Sequence, residues 1–297
     1  MSELPADSSE PPGDTGTSSR RVPARRAWRA RWTVGRVAAL VWLTTIVVLA
    51  VAIPYLGAPD PTIRAGQANQ RPFGDWLLGT DQLGRDMFSR LAWGARTSLR
   101  FTFVCTVIAA SLGVTLGVLA GYLRGKTEAL INAVADATLA FPGLVLLLVT
   151  SAIYRGSELA LTIALAVLLT PSFVRVARAN TLAVGQREFV LAARGLGVRQ
   201  ARIMRVEILP MVLRTIAVYA LTTAANVFVV EGSLSFLGLG LPPPTPSWGA
   251  MIAGAQVQMR DAPHLVVVPA LTLVLTVLSL NMLGNMRGKV RQVEGTL

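Results

Sequence analysis

Six stretches of the chain are apolar over lengths near the roughly 20 residues that a helix needs to cross a bilayer. They run over 37–56, 101–123, 137–154, 159–174, 215–238 and 265–284, the fourth being the shortest. The pattern predicts an all-α, polytopic membrane protein with six transmembrane helices. Residues 1–19 are mostly Pro, Ser, Gly, Asp and Thr with almost nothing to bury, which predicts a disordered tail. Residues 20–36 add seven arginines interleaved with Trp28 and Trp32, a basic belt with interfacial aromatics. That belt either fixes orientation or meets anionic lipid or a partner. The organisation expected is therefore a basic cytoplasmic tail over 1–36 and one membrane domain over 37–297. Its long connections are an outer segment (57–100), a cytoplasmic loop (175–214) and an outer loop (239–264). The run from Val37 is not a cleavable leader: its tail and apolar stretch are too long and no small-x-small site follows.

Composition supports lipid as the solvent. Only 15% of residues are charged and mean hydropathy is +0.54, against about 25% charged in soluble domains. The net charge of +12 invites a nucleic-acid reading, but the arginines sit between apolar runs and not in one aromatic-laced patch, so no nucleic-acid partner is expected. Placing both termini in the cytoplasm puts 20 of the 28 basic residues inside, as the positive-inside rule requires. Cys105 is the one cysteine and His264 the one histidine, too few for a His/Cys metal cluster.

The second span carries Ala109, Gly113, Gly117 and Gly121 at i, i+4 spacing. Such a face lets another helix backbone approach closely, either within the chain or in a second subunit. Gly121–Thr127 is one residue short of a phosphate loop and follows an apolar helix where a strand is required. It reads as a helix exit. No nucleophile–base set or dinucleotide fingerprint presents itself, so no catalytic residues, no metal and no cofactor are assigned to this chain.

The loop 175–214 is long yet patterned, and loops of that length without function are uncommon. Phe189, Ala192, Ala193 and Leu196 fall at i, i+3, i+4, i+7, one apolar face of a short helix. Gly195 and Gly197 permit a sharp turn. A second helical stretch over 198–209 meets Pro210, where a break or kink is expected. The knob so formed either inserts its apolar face into a partner's groove or lies flat on lipid.

The run Glu188-Phe-Val-Leu-Ala-Ala-Arg-Gly-Leu-Gly197 with Ile208-Leu209-Pro210 resembles the EAA loop of ABC-importer permeases. Leu191 stands where that family usually carries Glu. The segments Gly79–Arg90, Gly94–Leu99, Phe141-Pro-Gly143, Glu231–Gly249 and Asn281–Gly284 are similar to those of dipeptide/oligopeptide/nickel permeases of the C-subunit type. Asn285 and Arg287 depart from that family's acidic residue and Asp-Pro. The resemblance implies an inner-membrane permease subunit of an ATP-driven importer of di- or oligopeptides. Its implied ATPase-coupling residues are Glu188, Phe189, Ala192, Ala193, Leu196, Gly197, Leu209 and Pro210. Implied partners are a second homologous permease, one or two ATP-binding subunits that hold ATP and Mg, and an extracytoplasmic solute-binding protein. The same architecture importing nickel, glutathione or another small solute is the alternative, as is a non-transporting scaffold or an isolated channel.

Against that frame, Glu231, Ser233 and Trp248 are candidates for the translocation path or outer gate. A carboxylate at Glu231 is expensive in an apolar span and needs a cavity or a partner; Arg85 and Arg90 are the candidate partners. Asp81, Arg85 and Asp86 form a structural outer cluster. The stiff run Leu241–Trp248, with four prolines that each fix φ, is either gate, docking ridge or plain surface loop.

Overall fold

The computed structural model describes residues 24–284 except 56, 58, 155, 156, 242 and 243, with side chains from residue 34 onward. Most of the tail, the C-terminal Asn285 and Arg287, and Pro242 and Pro243 of the stiff outer run lie outside the described residues. The described chain is helical, with a single isolated β-bridge between Thr80 and Asp86.

Helix α1 spans Ala24–Ala52 and α2 spans Met87–Leu123. After these come α3 (Gly125–Ala140) and α4 (Gly143–Ile153), then α5 (Glu158–Gly185) and the short α6 (Glu188–Gly195). The next helix is continuous from α7 (Gln200–Arg202) through a π-turn (Ile203–Ile208) into α8 (Leu209–Phe236). Last are α9 (Trp248–Gly254) and α10 (His264–Gly284). Five of these are long and apolar enough to cross a membrane, and the bent pair α3/α4, taken as one span, brings the number to six.

Several boundaries differ from the hydropathy reading, each for a local reason. α2 begins 14 residues before the apolar run, because Asp86 caps it: its carboxylate accepts from the N–H groups of Phe88 and Ser89 at 3.2 and 3.0 Å. Residues 87–100 are thus helix and not part of an outer loop. The third span is two helices bent by 74°. Pro142 holds Phe141 in extended conformation (φ −75°, ψ 131°), which ends α3 at Ala140. α5 continues to Gly185 and the helix from Gln200 runs straight into the membrane, so the 40-residue loop shrinks to a short excursion around α6.

Pro210 does not break the chain. It sits in the first turn of α8, directly after the π-turn. A proline lacks the N–H and crowds the carbonyl four residues back; the wider π-turn, in which the Leu209 N–H bonds to Met204 O, accommodates both.

The core is built on α2 against α5. Phe101, Cys105, Ala109, Phe173 and Ala177 lie in one buried cluster, which continues through Val184, Val190, Ile203, Ile208 and Val212 toward α6. A Cβ on Gly113 would overlap Phe173, and one on Gly117 would lie 2.5 Å from Val174 O. One on Gly121 would lie 2.9 Å from Thr181. The small-residue face is therefore a seam within the chain. A second cluster joins Met87, Ala95, Phe228, Trp248, Met251 and Leu265 at the other end. By contrast α3 and α4 bury only Ala135, Leu147 and Ser151, leaving Leu130, Val134, Leu144 and Val145 facing outward. In a bilayer such a surface meets lipid or another membrane helix.

Candidate functional site

The α6 knob is built from a few local rules. Glu188 lies in its first turn and Arg194 in its last, each complementing the helix dipole. Beyond the last turn, Gly197 takes φ +72°. Its N–H bonds to Arg194 O at 3.0 Å and that of Val198 to Ala193 O at 3.1 Å. This pair of bonds is a Schellman closure, which favours glycine at the left-handed position. A side chain there would meet open space, so the glycine is needed for its backbone and not for room.

The expected apolar face divides in two. Val190 is 0% exposed, and Ala193 packs with it against the core cluster. Phe189, Ala192 and Leu196 point outward, Leu196 with 83% exposure. Ala193 thus belongs to the anchoring side, and the other three form the presented side. Leu209 packs half-buried on the core, and Pro210 is exposed at the start of α8. Val190 escaped the sequence reading although the i, i+3 pair Val190/Ala193 was there to find it.

This knob is tied to the membrane helices. Tyr122 Oη, at the end of α2, donates to Gln200 O at 3.0 Å and also to Gln200 Oε1. Arg178 of α5 pairs with Glu128 of α3, its Nε at 2.7 Å. Ile203 and Ile208 are buried in the same cluster as Val190. α6 thus rests on α5 and on the π-turn, and through that turn on α8.

At the opposite end, Asp81 organises the outer segment. Its Oδ1 accepts from the N–H groups of Leu83 and Arg85 at 2.8 and 2.9 Å. Its Oδ2 pairs with Arg85 Nε at 2.7 Å and Arg90 Nε at 3.4 Å. Arg90 also donates to Pro61 O at 3.0 Å. Gly79 and Gly84 adopt φ +77° and +73°, and a Cβ on either would collide with a backbone carbonyl. With Asp86 as helix cap, the Gly-Thr-Asp-Gln-Leu-Gly-Arg-Asp run is a self-bonded turn that brings Asp81 and Arg85 together.

Glu231 is 2% exposed and does not pair with Arg85 or Arg90, both of which are held by Asp81. Instead Ser235 and Ser247 donate to its Oε1 at 3.0 and 2.8 Å, leaving Oε2 without a donor. Hydroxyls satisfy one oxygen, and the one from Ser247 joins α8 to the start of α9. Gly249 rests against Gly232, where a Cβ would come within 2.7 Å of the Gly232 Cα. Trp248 is fully buried: it stacks on Phe228 at 5.7 Å and donates from Nε1 to Leu91 O at 3.1 Å. Trp248 thus anchors the start of α9 in the interior, against α2 and α8. Ser233 is exposed, its hydroxyl bonded to Val229 O at 2.8 Å. Of the three path candidates, only Ser233 faces outward.

Ser247→Ala removes a donor to Glu231 and the cap that accepts from the Ala250 N–H at 3.2 Å. The expected loss is about 2 kcal/mol, read as a lower thermal midpoint of the purified protein. An unchanged midpoint would show that the Glu231 clamp is not structural.

Bent and straight apolar helices packed around the α2–α5 seam, with a Gly-closed surface helix at one end, make this a polytopic α-helical membrane protein. Residues 113–286 match the family described as "Binding-protein-dependent transport system inner membrane component". The chain is 36% identical over 269 residues to the glutathione transport system permease protein GsiD of Escherichia coli O157:H7 and of Shigella sonnei (strain Ss046). Each alignment covers 89% of this chain and 88% of the relative. Among solved structures, the inward-facing MetNI methionine ABC transporter matches with a TM-score of 0.55 at 21% identity, over 70% of this chain and 97% of that one. A second crystal form of the same transporter matches with a TM-score of 0.54. The chain belongs to the binding-protein-dependent permease family: it is a multi-pass permease subunit of an ABC importer in the cytoplasmic membrane. Membership implies ATPase and binding-protein partners in general.

Proposed function

We propose that this chain forms one half of a pore that imports a small peptide, and that α6 transmits the work of ATP-hydrolysing partners to it. The observation that carries the coupling role is the division of α6: Val190 and Ala193 lock it to the core while Phe189, Ala192 and Leu196 are presented. Small apolar knobs of this kind seat in a partner's groove. Glu188 at its N-terminus and Gly197 and Leu209 behind it hold the knob's attitude, and Pro210 begins the helix that carries the movement inward. The arginine distribution supports an orientation with both termini and α6 in the cytoplasm. There, ATP and Mg are held by one or two partner subunits. A second permease completes the pore and an extracytoplasmic protein delivers the solute near the Asp81 turn and α9.

The solute class rests on the relatives, which transport glutathione, a tripeptide. Di- and oligopeptides share its backbone amides and terminal charges. The test is uptake by proteoliposomes containing the assembled transporter and its binding protein. Labelled glutathione or dipeptide should enter only with ATP and binding protein. Entry without ATP would indicate a channel, and no entry of any peptide despite ATP hydrolysis would remove the solute assignment.

A further inference from the structure

We infer that the cleft between α6 and the α2–α3 turn is a binding site for a phosphate group, held by the guanidinium groups of Arg124 and Arg194. The cleft encloses about 260 Å³ and is lined by Tyr122, Arg124, Thr181, Arg194 and Gln200 among others. Its lining carries two cations and no carboxylate. Two neighbouring arginines, Arg175 and Arg178, have acidic partners, Asp136 at 2.7 Å and Glu128, whereas Arg187, Arg199, Arg202, Arg205 and Arg214 form no ion pair among the described residues. Neither Arg124 nor Arg194 has an ion pair among the described residues. Tyr122 occupies the side-chain oxygen of Gln200, which leaves the amide NH2 as a further donor.

The backbone adds an independent observation. Arg124 is held at φ 52°, ψ −172°, a region that essentially only glycine occupies without strain. The following Gly125 is also left-handed, at φ 64°. A turn built only to link α2 to α3 would be cheaper with glycine at both positions. Strain of this kind persists where function needs the side chain, and here it sets a guanidinium over the cleft.

The ligand chemistry follows from the lining. Paired guanidiniums match the tetrahedral oxyanion of a phosphate better than any neutral or cationic group. The cleft lies where α2 leaves its apolar stretch at residue 123, and beyond the end of the α5 apolar stretch at residue 174. The phosphate can therefore belong to an anionic lipid or to a soluble ester. Arg124 belongs to the α2–α3 turn and Arg194 to the last turn of α6, so one bound phosphate bridges the two. Binding depends on the cleft alone and stands apart from the coupling role of α6.

The experiment uses the whole transporter in nanodiscs of phosphatidylcholine with or without phosphatidylglycerol. Native mass spectrometry counts the retained anionic lipid, and amide exchange follows residues 188–198. A parallel arm adds inorganic phosphate or glycerol phosphate to phosphatidylcholine discs. The doubly substituted Arg124→Gly/Arg194→Gln protein should lose retention by about fivefold for each arginine. Glycine suits the backbone at 124, so this variant folds. Gly185→Leu should have a similar effect without changing charge, because it fills the cleft: a Cβ there meets only Arg194 Nη2, at 4.0 Å. Arg199→Gln, outside the lining, should change nothing. Protection of 188–198 by free phosphate alone, lost in the double variant, would identify a soluble ligand at the same site. Equal retention and exchange in all variants, or an equal loss with Arg199→Gln, would overturn the site.

Discussion

Replacing Phe189 and Leu196 together by aspartate should abolish ATP-dependent uptake while leaving the permease folded and in the membrane. Both side chains are presented by α6 and contribute nothing to the buried cluster, which is held by Val190 and Ala193. Each aspartate places an unpaired carboxylate where an apolar contact is expected. An uncompensated charge in a closed interface costs about 3 kcal/mol or more, and that corresponds to a loss of more than about 100-fold in affinity. Co-purification with the ATP-hydrolysing subunit measures it. Val190→Asp makes the contrast, since it strikes the core and lowers permease yield itself. Intact assembly and uptake in the Phe189→Asp/Leu196→Asp protein would remove α6 from the coupling path.

Gly113→Leu has the next largest effect, and on a different property. The first added carbon already overlaps Phe173, and the α5 backbone lies close behind, with Thr170 O 3.1 Å away. Neither helix can yield locally, because Gly117 and Gly121 hold the same seam one and two turns further on. Overpacking of a close-packed site costs about 1–3 kcal/mol where side chains can move, and here backbones must separate, so the upper end is expected. Recovery of monodisperse protein should fall sharply, with a thermal midpoint well below that of the parent. Gly143→Ala provides the control: its added carbon meets Leu168 at an ordinary 3.5 Å, and stability should be unchanged. A Gly113→Leu protein as stable as that control would show that α2 and α5 are not packed as described.

Much of this was legible in the sequence because bilayer crossing imposes a length and a polarity that survive without tertiary detail. The apolar runs located every span, and the glycine spacing marked the face of α2 that packs. Helix ends were less legible. The cap at Asp86, the Pro142 bend and the π-turn before Pro210 are decided by single side chains and by neighbouring carbonyls, which a hydropathy window averages away. Proline's meaning in particular depended on whether the preceding turn could widen.

The sites divide along the same line. The side-chain partners of Asp81 lie within nine residues of it in the chain, within reach of a local pattern. Those of Glu231 do not, because they include Ser247, 16 residues away on another helix. Arg85 and Arg90 were the nearer guess by charge alone, yet the Asp81 carboxylate already holds them. Trp248, beside a proline run, reads from sequence as a candidate for the path or outer gate; its burial is set by Phe228 and by the Leu91 carbonyl, which no local pattern reveals. On α6 a four-residue face was read where the helix uses two sides, since periodicity gives spacing but not which side meets the core.

The coupling role of α6 is tested most directly by proximity in the working complex. Cys105 is buried, so an introduced cysteine can be labelled selectively with a photoactivatable maleimide. Leu196→Cys places the probe on the presented face of α6. Tyr55→Cys places it at the opposite end of the molecule, on a side chain that is 86% exposed. On illumination, the ATP-hydrolysing subunit should be captured from position 196 and not from position 55. Capture from position 55, or from neither position in a complex that still hydrolyses ATP and transports, would contradict the assignment of α6 as the coupling element.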